Sequence, residues 1–159
     1  MADFNKTTLI VFSGDLDKAL ASFIIATGAA AMGKEVTMFF TFWGLNVLRK
    51  EQYVPVKKNV IERMLGKMMP RGPDKLGLSK LNMGGIGAKL MKKVMKEKNI
   101  SSLGELMQLA KELNVKLVAC TMSMDALGIR KEELIDGLEY AGVASYLAEA
   151  NQSNINLFI

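Results

Sequence analysis

Three segments near the start of the chain decide its fold: TTLIVFS (Thr7–Ser13), LDKALASFIIATGAAAM (Leu16–Met32) and EVTMFFTF (Glu35–Phe42). The first and third are short runs of β-branched and aromatic residues, which are typical of strands. The middle segment is rich in Ala and Leu and stops before Gly33, a residue suited to the end of a helix. The apolar centre of the third segment indicates a strand covered on both faces. The sequence therefore predicts a strand, a helix and a second, parallel strand.

The same alternation continues along the chain. Ser102 followed three residues later by Glu105 is a capping-box pattern and predicts a helix over Ser102–Leu113. The other predicted elements are a strand at Val115–Cys120, a small helix at Arg130–Leu138, a strand at Tyr140–Ala144, a helix at Ser145–Gln152 and a strand at Ile155–Ile159. We therefore expect one α/β domain over residues 1–159, with three α/β/α layers and a mostly parallel sheet of about five strands.

Residues 45–100 differ in composition from the rest of the chain, because methionines lie among lysines and the segment contains PRGP and GGIG. We predict a helical insertion, with short helices at Asn59–Lys67 and Ala88–Lys98 and a hinge at GGIG. Arg49–Lys98 holds 14 basic and 4 acidic residues, whereas the rest of the chain holds 7 and 12. This basic segment is either a solvated lysine face or a surface for an acidic protein or a membrane. It has no pattern specific to nucleic acid.

The composition excludes several kinds of chemistry. The chain has no histidine and one cysteine in 159 residues. It therefore cannot form a Ser-His-Asp triad, a Cys-His dyad, an internal disulfide, a CxxC redox pair or a multi-cysteine metal site. We expect no metal and no separate cofactor. Any covalent catalysis by a thiol depends on Cys120.

The apolar segments indicate where the protein resides. The opening MADFNKTTLIVF has neither a basic region before an apolar core nor a small-residue cleavage site, so we expect no export. The longest nearly apolar run, Ala19–Met32, has fewer than the roughly 18 to 20 residues that span a bilayer. A single thiol also suits a reducing compartment. We expect a cytoplasmic protein without a transmembrane segment.

Candidate site residues follow from the predicted sheet. In such sheets ligands bind outside the carboxyl ends of the strands, near the point where strand order reverses. The residues at these ends are Ser13, Gly14 and Asp15 after the first strand, Trp43 and Gly44 after the second, and Cys120, Thr121 and Ser123 at the third. All but Cys120 are candidates for binding an anionic ligand. The turn after the first strand lacks GxxxxGK[ST] and GxGxxG, so helix capping is the competing interpretation there.

Cys120 has two interpretations from the residues alone. A lone cysteine is commonly a small buried hydrophobic residue. However, Cys120 lies at a strand end, ahead of a helix that starts near Ser123 or Asp125, and the free N–H groups of a helix start favour a thiolate. The carboxylate of Asp125 opposes this effect unless it caps the helix. Both interpretations stay open on this basis.

Several longer strings resemble a known family. They are LVACTMSMDALGI (Leu117–Ile129), SGDLDKA (Ser13–Ala19), FFTFWGL (Phe39–Leu45), PRGPDKLGLSKLNMGGIG (Pro70–Gly87) and the terminal LFI. Together they resemble the DsrE-like branch of the DsrE/DsrF/DsrH sulfurtransferase superfamily over nearly the whole chain. The resemblance implies a flavodoxin-like α/β/α fold, a homo-oligomer, and a cysteine, Cys120 here, that carries sulfane sulfur as a persulfide. It also implies exchange of sulfur with a TusA-like or rhodanese-like carrier protein.

The leading hypothesis is therefore a sulfur carrier or sulfurtransferase that uses Cys120. Persulfide transfer needs a thiolate but no metal and no second cysteine, which agrees with the composition. One alternative is a non-catalytic module that binds a nucleotide or another anion, with Cys120 only packed. Another is a protein-interaction or membrane-surface role for residues 49–98.

Overall fold

The structure is a computed structural model that describes residues 5–159, so the first four residues of the predicted domain lie outside it. Its strands are β1 (Lys6–Val11), β2 (Glu35–Phe40), β3 (Lys116–Cys120), β4 (Glu139–Ala141) and β5 (Ile155–Phe158). Its α-helices are α1 (Leu16–Ala31), α2 (Val60–Met68), α3 (Ile86–Glu97), α4 (Leu103–Glu112), α5 (Thr121–Leu127) and α6 (Val143–Asn151). Segments of 3-10 helix are Phe42–Leu48, Pro73–Lys75, Met83–Gly85 and Lys131–Glu133. Among the described residues no helix is long and apolar enough to cross a membrane.

The strands of residues 5–159 form one parallel sheet in the order β4-β3-β2-β1-β5. The register places Thr8 beside Thr37 and Phe39 beside Val118. The predicted α/β class, with three layers and a sheet of about five strands, is confirmed. Strand order reverses between β1 and β5, so β3 and its terminal Cys120 lie two strands away from the reversal.

Most of the core lies between the sheet and the pair α1 and α4. Its buried members include Leu9, Met38, Leu117, Phe23 and Ala110. A smaller cluster lies on the other side of the sheet, beneath α6, and consists of Phe39, Val118, Cys120 and Tyr146. Successive side chains of a strand point to opposite faces, so β2 and β3 contribute to both clusters. The thiol therefore belongs to the smaller cluster, beneath α6.

Two helices begin with reciprocal capping boxes. At α4 the Ser102 hydroxyl accepts a hydrogen bond from the Glu105 N–H (3.2 Å), and the Glu105 carboxylate accepts from the Ser102 N–H (2.6 Å). At α2 the side chains of Asn59 and Glu62 make the same pair of bonds. Each box satisfies N–H groups that the helix itself leaves free. The helix predicted from the first pair is confirmed.

The helix predicted over Arg130–Leu138 is wrong. Lys131–Glu133 form one turn of 3-10 helix, after which the chain is extended. Leu134 joins an antiparallel bridge, and the N–H of Ile135 donates to the carbonyl of Leu48 (2.9 Å). This pairing between distant segments overrides the local helical signal.

The segment predicted as an insertion, residues 45–100, begins inside the core. Leu45, Val47 and Leu48 are fully buried in the 3-10 segment that follows β2. The chain therefore leaves the scaffold only after these residues. It returns through GGIG, where Gly84 (φ 68°) and Gly85 (φ 102°) adopt the left-handed conformation that separates a 3-10 turn from α3.

A buried cluster of charges fixes the start of the insertion. The carboxylate of Glu133 lies 2.7 Å from the Lys58 ammonium and 3.6 Å from the Arg49 guanidinium, and it accepts a hydrogen bond from the Arg130 N–H (2.8 Å). The Arg49 guanidinium also donates to the carbonyl of Gly66 (3.2 Å), near the end of α2. Burial lowers the pKa of Arg49. The cluster joins the first part of the insertion to the segment that follows α5.

Candidate functional site

Cys120 is the last residue of β3 and occupies the N-cap position of α5. Because β3 pairs with β2 on one side and β4 on the other, the thiol lies inside the sheet and not at a lateral edge. The residue is 3% exposed, and it packs with Phe39, Val118 and Tyr146. The sole cysteine of the sequence thus stands at the carboxyl edge of the sheet, in an apolar environment beneath α6.

The cover over this cluster is thin. Within α6, all of which the structure describes, Tyr146 is the one buried residue. Its ring lies 5.2 Å from the ring of Phe39, between centroids, and its hydroxyl lies 3.3 Å from the Thr8 hydroxyl. A helix held by so few buried groups opens at a lower free energy than a core helix. The face of the sheet that holds Cys120 is therefore covered by fewer buried side chains of its helix than the face beneath α1.

Thr121 and Ser123 lie in the first turn of α5, immediately after Cys120. Ser123 is buried, and its hydroxyl lies 2.7 Å from the Thr41 hydroxyl. Thr41 follows β2, so this bond joins the loops after the second and third strands. Thr121 is partly exposed. The N–H groups of a first helical turn have no partner within their helix, and they favour negative charge at the N-cap.

The turn of Ser13, Gly14 and Asp15 is closed by contacts within the protein. The Asp15 N–H donates to the Ser13 hydroxyl (3.1 Å), which donates to the Asp15 carboxylate (3.0 Å). Asp15 occupies the N-cap position of α1, but its side chain makes no capping bond. The N–H of Leu16 donates to the carbonyl of Gly77 in the insertion (2.7 Å). The insertion therefore covers the start of α1.

A second contact holds the insertion against α1. The carboxylate of Asp17 accepts hydrogen bonds from the Ser79 N–H (2.9 Å) and the Ser79 hydroxyl (2.5 Å). Partial burial raises the pKa of Asp17, but the two bonds from Ser79, a bond from its own backbone N–H and the charge of Lys18 together lower the pKa below its usual value. The ionised carboxylate thus stabilises the loop over the first turn of α1.

Gly14, Trp43 and Gly44 bring the loops after β1 and β2 into contact. A Cβ on Gly14 would lie 2.6 Å from the Trp43 carbonyl oxygen, and a Cβ on Gly44 would lie 2.0 Å from the Val11 carbonyl oxygen. The N–H of Gly44 donates to the carbonyl of Phe12 (2.9 Å). The two loops approach this closely only because glycine stands at both positions. The Gly44 N–H is thereby used within the fold.

Aromatic side chains form an exposed rim at the carboxyl edge of the sheet. The ring of Phe12 lies 5.6 Å from the ring of Phe42 and 5.6 Å from the ring of Phe158. Phe158 is 67% exposed and Trp43 is 46% exposed. We call these four residues the aromatic rim. Exposed apolar groups of this kind commonly mark interaction surfaces. The edge that holds Cys120 therefore also offers an apolar surface to a partner.

All the site residues predicted from the sequence lie at the carboxyl edge of the sheet. The contacts between them join the loops two at a time. The loop of Gly14 meets that of Trp43, and Thr41 joins the loop after β2 to Ser123. The aromatic Phe39 and Tyr146, which pack with Cys120, were not candidates. Strand alternation places Phe39 on one of two faces, but only the register with β3 shows that it shares a face with Cys120.

Comparison with known proteins gives the relationship of the whole chain. A family model described as the DsrE/DsrF/DrsH-like family matches residues 4–158. The chain belongs to this family. Within the DsrE/DsrF/DrsH-like proteins, it is 58% identical over 154 residues to the uncharacterized protein YrkE of Bacillus subtilis (strain 168). The alignment covers 97% of this chain and 96% of YrkE. It is also 42% identical over 161 residues to the sulfur carrier protein DsrE2 of Allochromatium vinosum, which covers 97% of this chain and 98% of DsrE2.

Solved structures share the DsrE-like fold of this chain. The crystal structure of the ychN protein from E. coli matches with a TM-score of 0.55 at 11% identity, and covers 97% of this chain and 99% of that one. The protein of unknown function MTH1491 from Methanobacterium thermoautotrophicum matches with a TM-score of 0.50 at 13% identity. The match covers 97% of this chain and 98% of that one. At these identities the comparison concerns the fold alone. The fold expected from the sequence resemblance is confirmed.

Proposed function

We propose that this protein is a sulfur carrier that holds sulfane sulfur as a persulfide on Cys120 and passes it on in a sulfur relay. Membership of the DsrE/DsrF/DrsH-like family and 42% identity to a protein named as a sulfur carrier support a sulfur-relay role. The persulfide on Cys120 is proposed from the position of the sole cysteine, at the carboxyl end of an interior strand and at the start of a helix.

The transfer step needs nothing beyond the thiol and a persulfide donor. The Cys120 thiolate attacks the outer sulfur of a donor persulfide R–S–SH, a bond forms between the two sulfur atoms, and the donor S–S bond breaks. The donor leaves as the thiolate R–S⁻, and Cys120 keeps the outer sulfur as Cys–S–SH, so no electrons are gained or lost overall. The reverse exchange with an acceptor thiolate returns Cys120 to its starting state.

Backbone groups are the candidates for stabilising the anionic sulfur. Cys120 stands at the N-cap of α5, and the first-turn N–H groups of Thr121, Met122 and Ser123 are not used inside that helix. In this proposal they face the persulfide anion and favour its charged form. The loops after β1 and β2 shape the edge that the partner approaches and do not contact the sulfur in this proposal. Their residues are Ser13, Gly14, Asp15, Trp43 and Gly44.

The partner in this proposal is a small sulfur carrier of the TusA type or a rhodanese. Cys120 is 3% exposed, so exchange requires α6 to move before a donor sulfur reaches the thiol. The aromatic rim offers an apolar surface at the same edge, and a partner that packs against Trp43 and Phe158 approaches Cys120 from the open end of the sheet. The expected homo-oligomer is part of the proposal.

Intact-mass measurement tests the persulfide directly. The protein is incubated with polysulfide or with a persulfidated carrier protein, desalted without reductant and weighed. We expect a gain of one or more sulfur atoms that dithiothreitol removes. The Cys120→Ser variant should gain none. Absence of the gain from the unmodified chain, or an equal gain on the serine variant, would refute the proposal.

One observation favours a different function. The low exposure and apolar neighbours of Cys120 also suit a packed, unreactive thiol, and the protein would then bind an anionic ligand at the same edge without covalent chemistry. That function predicts no sulfur gain and an affinity for thiosulfate or a nucleotide that survives Cys120→Ser. Calorimetric titration of both variants distinguishes the two functions.

A further inference from the structure

Helix α3 carries a continuous row of exposed aliphatic side chains. The row runs from the preceding turn along the helix through Met83 (62% exposed), Ile86 (58%), Leu90 (55%) and Val94 (44%). Within α3, the spacing of four residues places Ile86, Leu90 and Val94 on one side of the helix, and Met83 lies in the turn before it. The opposite side is used for packing, because Ala88 and Met95 are buried. We call the row from Met83 to Val94 the aliphatic row.

Lysines flank the aliphatic row. Lys89, Lys93 and Lys96 are exposed on the helix, and Lys98 follows at its end. Glu97 is the one acidic residue of α3 and lies 3.9 Å from the Lys93 ammonium. The helix therefore joins an exposed apolar stripe to a basic flank, which is the pattern of helices that lie in a membrane interface.

Part of the basicity of residues 49–98 is used inside the fold, whereas Lys89, Lys93 and Lys96 of α3 remain exposed. The sequence shows only that residues 49–98 are basic, but several of these charges are used internally. Arg49 and Lys58 are buried against Glu133, and Lys92 donates to the carbonyl of Asp74 (2.6 Å). The lysines that remain exposed on α3 lie beside the aliphatic row, so the helix presents charge and apolar side chains to an external surface together.

We propose that α3 docks on the surface of an anionic phospholipid bilayer, with the aliphatic row inserted at the headgroup boundary and the lysines over the headgroups. A second copy that docks through its own α3 is a poor occupant, because two such basic faces repel each other. Protein interfaces are depleted in Lys, and all the basic residues of 81–98 are Lys. Aliphatic groups beside lysines instead match acyl chains beside anionic headgroups.

This docking leaves the thiol accessible and does not depend on the proposed persulfide. Met95 of α3 belongs to the core on the α1 and α4 side of the sheet, whereas Cys120 packs beneath α6 on the other side. A bilayer held against α3 therefore contacts the face opposite to that of the thiol. The protein would then act at a membrane surface without a spanning segment.

Vesicle co-sedimentation tests the proposal with the full chain. Sucrose-loaded vesicles of phosphatidylcholine with phosphatidylglycerol, and vesicles of phosphatidylcholine alone, are mixed with the protein at low ionic strength. We expect sedimentation with the anionic vesicles, little with the neutral ones, and a loss of binding as salt screens the lysines. Absence of sedimentation with anionic vesicles at low ionic strength would overturn the proposal, as would equal binding to neutral vesicles.

Matched variants locate the contact. Leu90 (55% exposed) and Leu147 (53% exposed) are the same residue type with the same exposure, on α3 and α6 respectively. Leu90→Ser should weaken vesicle binding by about tenfold, since it removes buried apolar contact with the lipid, and Leu147→Ser should not. The double variant Lys89→Gln with Lys93→Gln should weaken binding by about tenfold or more, unlike Lys111→Gln on α4. Equal effects within either comparison refute docking through α3.

An acidic polymer separates the lipid from an acidic protein partner. Polyglutamate carries the charge of an acidic protein but no acyl chains. We expect the protein to bind anionic vesicles more tightly than polyglutamate at equal ionic strength, and Leu90→Ser to affect only the vesicles. Tight binding to polyglutamate without binding to vesicles would overturn the proposal in favour of an acidic protein partner.

Discussion

The ring of Tyr146 lies 5.2 Å from the ring of Phe39, and Tyr146 is the one buried residue that α6 contributes to the cluster of Cys120. On the other side of the sheet, α1 buries seven residues. The two faces of the sheet are therefore covered unequally, and the sole cysteine lies beneath the weaker cover. This asymmetry predicts that Cys120 is reached by local movement of α6 more easily than by opening of the opposite face.

Replacement of Tyr146 should expose Cys120. Tyr146→Ala removes the one buried side chain of α6, and we expect the alkylation rate of Cys120 by iodoacetamide to rise by about tenfold or more, because local opening becomes more frequent. Tyr146→Phe keeps the ring and loses only the contact with the Thr8 hydroxyl, so a smaller increase is expected. Mass spectrometry of quenched samples gives the rates.

The matched control for this experiment is Phe23→Leu, a change in the core on the opposite side of the sheet. It lowers global stability without touching α6, and it should leave the alkylation rate nearly unchanged under native conditions. An equal acceleration in Phe23→Leu would show that Cys120 is reached by global unfolding. An unchanged rate in Tyr146→Ala would show that α6 does not limit access.

Local patterns predict the parts of the fold that depend on near neighbours. The β-branched runs indicated β1 and β2, the capping pattern of Ser102 and Glu105 indicated α4, and the third run placed Cys120 at a strand end, because each of these depends on residues close in sequence. The fold class followed from the alternation of the elements. The alternation did not predict how far Cys120 lies from the reversal of strand order, since sequence alone does not order the strands.

The parts that sequence missed depend on contacts between distant residues. The segment after Arg130 carries helical signals, but pairing of Ile135 with Leu48 makes it extended. Arg49 looks like a surface charge in a basic segment, yet it is fully buried against Glu133. The buried cluster that contains Cys120 and Tyr146 likewise joins positions that no local pattern relates.

Removal of the buried negative charge should destabilise the protein strongly. Glu133→Gln leaves the positive charges of Arg49 and Lys58 buried without a counter-ion, and we expect the free energy of unfolding to fall by about 3 kcal/mol. Urea denaturation followed by circular dichroism measures the change. Glu132→Gln is the control, because the neighbouring Glu132 is exposed and should change stability by less than about 0.5 kcal/mol. Similar losses for the two variants would contradict the role of the cluster.

Alanine at Gly44 should distort the edge of the sheet. Its Cβ would lie 2.0 Å from the Val11 carbonyl oxygen, so the loop or β1 must shift, and we expect a loss of about 2 kcal/mol or more in unfolding free energy. Gly104→Ala within α4 is the control, since no atom lies within 4 Å of the added methyl group. That change should stabilise the helix by about 0.5 to 1 kcal/mol. A neutral Gly44→Ala would show that the two loops do not need this close approach.

The contact between Asp17 and Ser79 should make stability depend on pH. The hydrogen bonds from Ser79 lower the pKa of Asp17 in the folded state, below the unfolded value of about 3.9. The stabilisation is therefore complete above about pH 4 and is lost as the pH falls through the lower, folded-state pKa.

Asp17→Asn should reduce the unfolding free energy by about 1 kcal/mol at pH 7, a modest value because the bonds are exposed to solvent. Thermal unfolding of both proteins at a series of pH values checks this, and the exposed Asp125→Asn serves as the control. We expect the difference between Asp17→Asn and the unmodified chain to disappear at low pH; a difference that is constant with pH would mean that the ionised carboxylate does not hold the insertion on α1.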